Sequence, residues 1–599
     1  MLTPAPTIVT AVSGVLGCAA IVYAIDRSLG GAARARYRYV LAGLTVGLLV
    51  LILRGYIRPY DARVSVAKAI VASVAAACVL YEGYRAYRNR PVAEGVKRVV
   101  GIMLALIAIA CYFNGFKYSF PPYWHHSDIF HYYMGAKYFP ELRYDGLYQC
   151  TAIAQDQLGT VGWRNETSGQ RFHLDMSSEI RNPEKRIRNL GGDNLLMPVT
   201  EVLEHPDRCT SRFSTERWNA FKADVFFFRI VADRQYWEDM QKDHGYNPPP
   251  AWTILGSFFS HLRPASARYM QFLASLDMVY LAGAFAMIWW AFGWRVCAVA
   301  AIFWGCQAAA PGSWTAGAFL RQDWFFFLIA SACFARKRYF KLAGASIVYA
   351  GLLRVFPVLI VLGWFAVMGA FVVRRKRLAR SHRDVLIGGL VAAAVIIPFS
   401  LYIAGPGSYR EFYHHTLRVH DWTPLTNHMG LPVLMSYRFG GGAASGRMEY
   451  TVDPRLADPF EGWKQRRNER REMYRWPGFA IIAISGALVV WAVRRLRLLW
   501  VSGCLGQVFI VLGAQLTSYY YSFLILSALL TGARRRLEIP LFGFAALSQV
   551  VFWVFPWNDD KYAALTLMSL LLCYGLILGF VPKASWRRRA ELGGCPPAG

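Results

Sequence analysis

The sequence predicts an all-α polytopic membrane protein, and three observations predict it. The first is composition. Of 599 residues, 55% are hydrophobic and 15% aromatic, mean hydropathy is +0.28, and the apolar residues gather in repeated runs of about 16–24 residues, enough to cross a hydrocarbon core. The second is the placement of charge. A net charge of +29 in a soluble chain would point to nucleic acid, but here Lys and Arg occupy short links between apolar runs, where they report topology. No paired metal-binding cysteines and no aromatic RNA-binding strand accompany them, so the nucleic-acid class is set aside. The third is that the polar residues concentrate in two long segments, Lys117 to Pro250 and Gly405 to Pro477.

The first apolar run, Ile8 to Ile25, has no basic stretch before it and no small-residue cleavage site, so it reads as a retained span rather than a removed signal peptide. Basic links follow at Arg27 to Arg38, Arg85 to Arg98, Arg336 to Lys341, Arg374 to Arg383, Arg494 to Arg497, Arg534 to Arg536 and Lys583 to Arg589. Placing all of them in the cytoplasm gives about fifteen spans: 7–25, 39–54, 64–82, 99–114, 269–292, 295–312, 319–335, 338–353, 355–373, 385–404, 478–493, 498–514, 518–532, 539–555 and 562–581. The N-terminus is then outside and the C-terminus inside. One link, with Arg54, Arg58 and Arg63, falls outside in this scheme despite its arginines.

Both long polar segments then lie on the outer side as loops containing short helices. Segments of this length are seldom idle connections. In the first, the stretch from Arg217 to Met240 mixes a phenylalanine run with regularly spaced charges, which fits a helix lying on the membrane surface or the core helix of a small outer domain. Of eleven cysteines, only Cys150 and Cys209 avoid the apolar runs and the tail. In an oxidising compartment they are candidates for a disulfide, and otherwise two unpaired thiols.

The chemistry-bearing cluster is "YWHHSDIFHYYMGAKYFPELRYDGLYQC", Tyr123 to Cys150. Asp128, His131, Tyr132 and Gly135 follow helical i, i+3, i+4, i+7 spacing and should share one face. A carboxylate at a membrane edge under aromatic cover is suited to act as a general base, because partial desolvation strengthens it. The competing reading is an Asp that caps a short helix. His125, His126 and His131 with Asp128 also raise a metal site, although imidazoles among tyrosines more often serve as hydrogen-bonding partners. No cofactor is expected.

Asp128, Tyr132, the Gly135-Ala136 pair and "DGLY" at Asp145 to Tyr148 resemble the first outer loop of the GT-C glycosyltransferases, closest to the polyprenol-phosphate-mannose-dependent α-mannosyltransferases, the PimE-like branch. "YNPPPAWTILGSFFSHL" is similar to that family's Tyr-Pro-Pro and following short helix. "RQDWFFFLIASACFARKRYFKLAGASIVYAGLLRVFPVLIVL" is similar to its Gly-Gln-x-Asn span, basic turn and Lys-x-Tyr-Pro helix break. "TPLTNHMGLPVLMSYRF" resembles its Asn-Gln-Ser segment, and "SYYYSFLILSALL" its late Trp-x-His-His/Tyr stretch. The chain departs from the pattern with Arg321-Gln322 for Gly-Gln, Arg354 for Lys, Asn427-His428-Met429 for Asn-Gln-Ser, and Tyr520-Tyr521 for His-His/Tyr.

The resemblance implies a GT-C-type helix bundle divided into additional N-terminal helices (1–98), a GT-C-like module (99–404, with its large loop 115–250), a second loop (405–477), C-terminal helices (478–582) and a cytoplasmic tail (583–599). It implies a bacterial inner-membrane enzyme that moves a sugar, mannose or a similar hexose or pentose, from a polyprenyl-phosphate donor to an extracytoplasmic lipid or glycan acceptor, with inversion. Asp128 is then the base, and Arg354 followed by Arg321 holds the lipid phosphate, since an arginine at membrane depth is costly. Snorkelling to water is the alternative for Arg321. His131, Tyr132, Asp145, Gln322, Asn427, His428 and Tyr520 are expected around sugar or acceptor.

Competing classes remain. A transporter or flippase would show paired, similar halves, which this sequence lacks. A polysaccharide polymerase or ligase would use the same lipid carriers. A non-catalytic scaffold would tolerate replacement of Asp128.

Overall fold

The computed structural model describes residues 62–116, 123–164, 171–312, 315–438, 461–555 and 557–581. The expected spans 7–25 and 39–54, the links with Arg27 to Arg38, Arg54 and Arg58, and the tail from Lys583 lie outside the described residues.

The chain begins with α1 (Ala62–Tyr87) and α2 (Glu94–Tyr112) and then enters a loop domain. That domain holds α3 (residues 126–137), α4 (Leu147–Leu158), α5 (Thr215–Val231) and two antiparallel hairpins. β1 (Thr160–Arg164) pairs with β2 (Arg171–Asp175), and β3 (Arg186–Arg188) with β4 (Leu196–Pro198). α6 (Pro250–His261) leads out of it, opened by Pro250 at its first turn, where a missing N–H costs nothing. The apolar helices follow as α7 (Ala267–Phe292), α8 (Trp294–Cys306), α9 (Asp323–Arg336), α10 (Phe340–Leu353), α11 (Phe356–Arg375) and α12 (Arg380–Ala404). After the second polar segment come α13 (Glu461–Met473), α14 (Arg475–Val493), α15 (Leu499–Gly513), α16 (Arg535–Val554) and α17 (Asn558–Gly579). A two-residue ladder of β5 (His428–Met429) on β6 (Leu516–Thr517) ties that segment back to the bundle.

The structure is compatible with the expected helical membrane-protein class, with three small two-stranded sheets added: among the described residues eight helices, α1, α2, α7, α11, α12, α14, α16 and α17, are long and apolar enough to cross a membrane. The other expected spans on described residues are shorter. α8, α9, α10 and α15 have 13 to 15 residues, and 518–532 is a succession of 3₁₀ and α turns rather than one helix. Hydropathy alone does not separate a full span from a short helix buried inside the bundle, which is why the run-based count exceeds the number of long helices.

Small residues set the closest helix packing. A Cβ on Gly344 of α10 would lie 1.9 Å from the Val385 carbonyl oxygen of α12, and one on Gly388 of α12 the same distance from that of Lys341. Two backbones therefore touch directly, as small residues permit in bundles that have no hydrophobic drive between helices.

α5 is the core helix of the loop domain, not a surface helix. Trp218, Phe221, Val225 and Phe228 bury one face of it. Two ion pairs lie under that face: Lys137 donates to Asp224 at 2.6 Å, and Arg229 clasps Glu179 at 2.8 and 2.7 Å, all four nearly sealed from solvent. Cys150 on α4 is bonded to Cys209, with 5.4 Å between Cα atoms and a sequence separation of 59. A cross-link over such a loop removes much unfolded-chain entropy, so Cys150→Ser should destabilise the loop domain by about 2–5 kcal/mol. Limited proteolysis with and without reductant reads this out, cleavage within 123–250 rising sharply when the bond is absent.

Candidate functional site

The site is assembled where three broken elements meet. The first is α3. His125 caps it by accepting the Asp128 N–H on Nδ1 at 3.2 Å, so the cap is the histidine and the Asp128 carboxylate is left for other work. A π turn, Phe130–Met134, then interrupts the α period. The wider turn spoils the expected common face of Asp128 and His131. His131 instead points into the loop domain, with Nε2 2.7 Å from the Tyr148 hydroxyl and 3.1 Å from the Met240 carbonyl, and Nδ1 2.7 Å from the Ser127 carbonyl. Both ring nitrogens are thus engaged inside the loop domain, and the side chain does not line the cavity shared by Arg321 and Arg354. Gly135 is required nearby: a Cβ there would sit 2.2 Å from the Tyr246 ring.

The second element is the turn before α9. The His125 N–H bonds the Gly317 carbonyl at 2.8 Å, which brings this turn against α3. Arg321 then reaches across to Asp128. Its Nε donates to Asp128 Oδ1 at 2.9 Å and its Nη2 at 2.5 Å, with both side chains nearly buried. The guanidinium lies over the Tyr132 ring, 4.5 Å from its centroid, and Nη1 is 3.4 Å from the Tyr520 hydroxyl. Arg321 is thus no snorkelling residue. Asp128 Oδ2 is buried and has no hydrogen-bond partner among the described residues.

The third is the break between α10 and α11. Arg354 ends α10 in extended geometry (φ −150°, ψ 124°), and Pro357 starts a 3₁₀ turn, because proline cannot continue a helix from the preceding turn. Arg354 is only 7% exposed. Nη1 donates to its neighbour's carbonyl, Leu353, at 2.7 Å, while Nε and Nη2 have no partner among the described residues.

Arg321 and Arg354 line one cavity of roughly 420 Å³. Tyr519 and Tyr520 join the two arginines in its lining, Val355 and Val358 give it exposed apolar surface, and its other polar lining includes Asn247, His420, His428 and Asp421, the last paired with Arg471 at 2.8 Å. The volume suits one small ligand. Of the residues expected from sequence, Arg321, Arg354, His428 and Tyr520 line this cavity, Tyr132 lies beneath both arginines and donates to Asn247 at 2.9 Å, and Asp128 sits behind Arg321. Besides His131, three further expected residues do not line it. Asp145 lines a separate surface cavity with Arg143, Arg212 and Glu411. Gln322 turns inward to Thr315, 3.4 Å away. Asn427 contributes its backbone carbonyl to Ser518 at 3.0 Å and does not line the cavity. Among the described residues no three His, Cys, Asp or Glu side chains form a group able to hold a metal.

The histidine wall is electrically neutral by burial. His244, edge-on to His420 at 5.0 Å, is pushed down to about 3 by burial and then by His420, with Asp243 opposing and Arg188 and Lys464 adding. His420 is lowered by burial, and His428 well below its ordinary value by burial and then Arg467. Such a group resists protonation when folded but not when unfolded, so its contribution to stability is whole above about pH 6.5 and is lost progressively as pH falls toward 3. The detergent-solubilised protein should therefore melt at lower temperature at pH 4.5 than at pH 7, and His244→Gln should shrink that difference.

Sequence reasoning missed Asp277, Asn247, His420 and Tyr519. Asp277 carried a usable signal, a lone carboxylate inside an apolar run. No family model matches the chain, and no curated protein or solved structure matches it either.

Proposed function

We propose that the protein is a membrane glycosyltransferase that moves a sugar, mannose or a similar hexose or pentose, from a polyprenyl-phosphate donor to an extracytoplasmic lipid or glycan acceptor. The observation that carries this reading is a cavity lined by Arg354, two of whose guanidinium nitrogens have no hydrogen-bond partner among the described residues, and by Arg321, which also holds Asp128. A buried guanidinium with unsatisfied nitrogens is costly unless an anion visits it. The exposed apolar surface of Val355 and Val358 suits a phosphate that arrives on a lipid chain, and the polar lining of Asn247, His420, His428 and Asp421 suits sugar hydroxyls. The Cys150–Cys209 bond supports an oxidising side for the loop domain.

In the proposed step, the donor's phosphate takes Arg354 and draws Arg321 toward itself, uncovering Asp128. Asp128 accepts the acceptor hydroxyl's proton as that oxygen attacks the anomeric carbon. The carbon–oxygen bond to phosphate breaks on the opposite face, giving inversion, and the electron pair leaves on the polyprenyl phosphate, whose added charge the two arginines meet. The test is a membrane assay with radiolabelled polyprenyl-phosphate sugars. Transfer of label to a new product that depends on the protein supports the reading, whereas movement of intact donor across the bilayer without transfer would establish a flippase instead.

A further inference from the structure

Asp277 lies in the middle of α7, an apolar helix long enough to span a membrane, and is 3% exposed. A carboxylate so placed is expensive and demands a use. Its Oδ1 accepts two backbone N–H groups, those of Arg321 at 2.8 Å and Gln322 at 2.9 Å. The same turn is gripped from the other side, where Trp252 Nε1 donates to the Leu320 carbonyl at 3.0 Å. Between the two grips Leu320 is held at φ +49°, a conformation that a branched side chain adopts only when its surroundings impose it. The residue that follows this forced turn is Arg321, whose side chain meets Asp128 on α3.

We infer that Asp277 is a positioning residue: by fixing the peptide groups of Arg321 and Gln322 it sets where the Arg321 guanidinium stands against Asp128 and the cavity. The inference rests on the proposed function only for its consequence in catalysis; the placement of Arg321 can be read independently. Asp277 touches neither substrate nor the reacting atoms. It acts through Arg321, and any shift of the turn moves the guanidinium while leaving Arg354, on the α10–α11 break, in place. A displacement of about 1 Å in a positioned group costs up to about 10²-fold in rate.

The experiment compares Asp277→Asn, which keeps an acceptor oxygen for both N–H groups, with Asp277→Leu, which has none. Asp277→Ser, whose oxygen is too short to reach both donors, carries the Leu prediction if Asp277→Leu does not accumulate in the membrane. Infrared difference spectra, with Asp128→Asn as reference, follow the Asp128 carboxylate band. The band should shift in Asp277→Leu and stay in Asp277→Asn. In the transfer assay Asp277→Leu should lower kcat by about 10–10²-fold with donor KM changed far less, Asp277→Asn should rescue, and the loss should vanish in an Arg321→Met background. An unchanged carboxylate band in Asp277→Leu, or equal behaviour of the Asn and Leu variants, overturns the inference. A shifted band in a protein that transfers nothing upholds the positioning role and sinks the enzyme reading.

Discussion

If the protein transfers sugar as proposed, replacing Asp128 by Asn should lower that transfer by about 10²–10⁴-fold, the span over which a positioned general base acts. The exchange is nearly isosteric. The Asn carbonyl still accepts a hydrogen bond from Arg321, so the architecture of the turn survives, but the side chain no longer takes a proton from an attacking hydroxyl. Donor binding moves the other way. In the wild type the phosphate must compete with Asp128 for Arg321, which is held by two charge-assisted bonds to Oδ1; once the carboxylate is neutral that competition weakens, and polyprenyl phosphate should bind Asp128→Asn at least as tightly as wild type. A scaffold would show no change in either quantity. A variant that loses transfer and donor binding together would mean that the substitution disrupted the site rather than the chemistry, and matched expression with a melting curve separates the two. Transfer that survives in Asp128→Asn eliminates the mechanism.

Part of this site was legible from local pattern. Asp128 stood out as an acid among aromatics in a polar cluster that follows an apolar run, and Arg354 as a cation inside one, three residues before a proline; both features are written in neighbouring residues, and both arrive at the site. The long helices were legible for the same reason, since crossing a membrane leaves an unbroken apolar record. What failed needed information that spacing does not hold. His131 was expected beside Asp128 on the premise of an α period, and the π turn at Phe130–Met134 rotates it into the loop domain. Asp145 belongs to a salt-bridged surface cleft whose other wall, Glu411, comes from a segment far along the chain. The Arg321–Asp128 contact joins residues 193 positions apart, a pairing set by tertiary packing alone. The short helices α8, α9, α10 and α15 are apolar like the long ones, and burial in protein leaves the same composition as burial in lipid, so run length read from composition does not give helix length.

Arg354 supplies the sharper test, because stability and activity should respond to it in opposite directions. Two of its guanidinium nitrogens are buried without a hydrogen-bond partner among the described residues, and the desolvation of its charge outweighs the attraction of the buried Asp323 carboxylate nearby, so removing the charge should relieve the fold. Arg354→Met, similar in length and apolar, should therefore melt at a temperature equal to or above that of the wild type. Yet the same variant should lose about 10²–10³-fold in transfer, as expected when one preorganised charge is taken from a developing anion. Arg354→Lys keeps the charge but replaces the three-nitrogen fork with a single ammonium, and should retain part of the activity with a weakened hold on polyprenyl phosphate. A structural arginine would behave otherwise: Arg354→Met would melt earlier, and Arg354→Lys would not rescue it, since the Leu353 carbonyl contact at 2.7 Å depends on the fork of the guanidinium. Gained stability with lost transfer would thus mark a cation kept for its ligand and not for the fold, consistent with the usual conflict between a stable site and a working one.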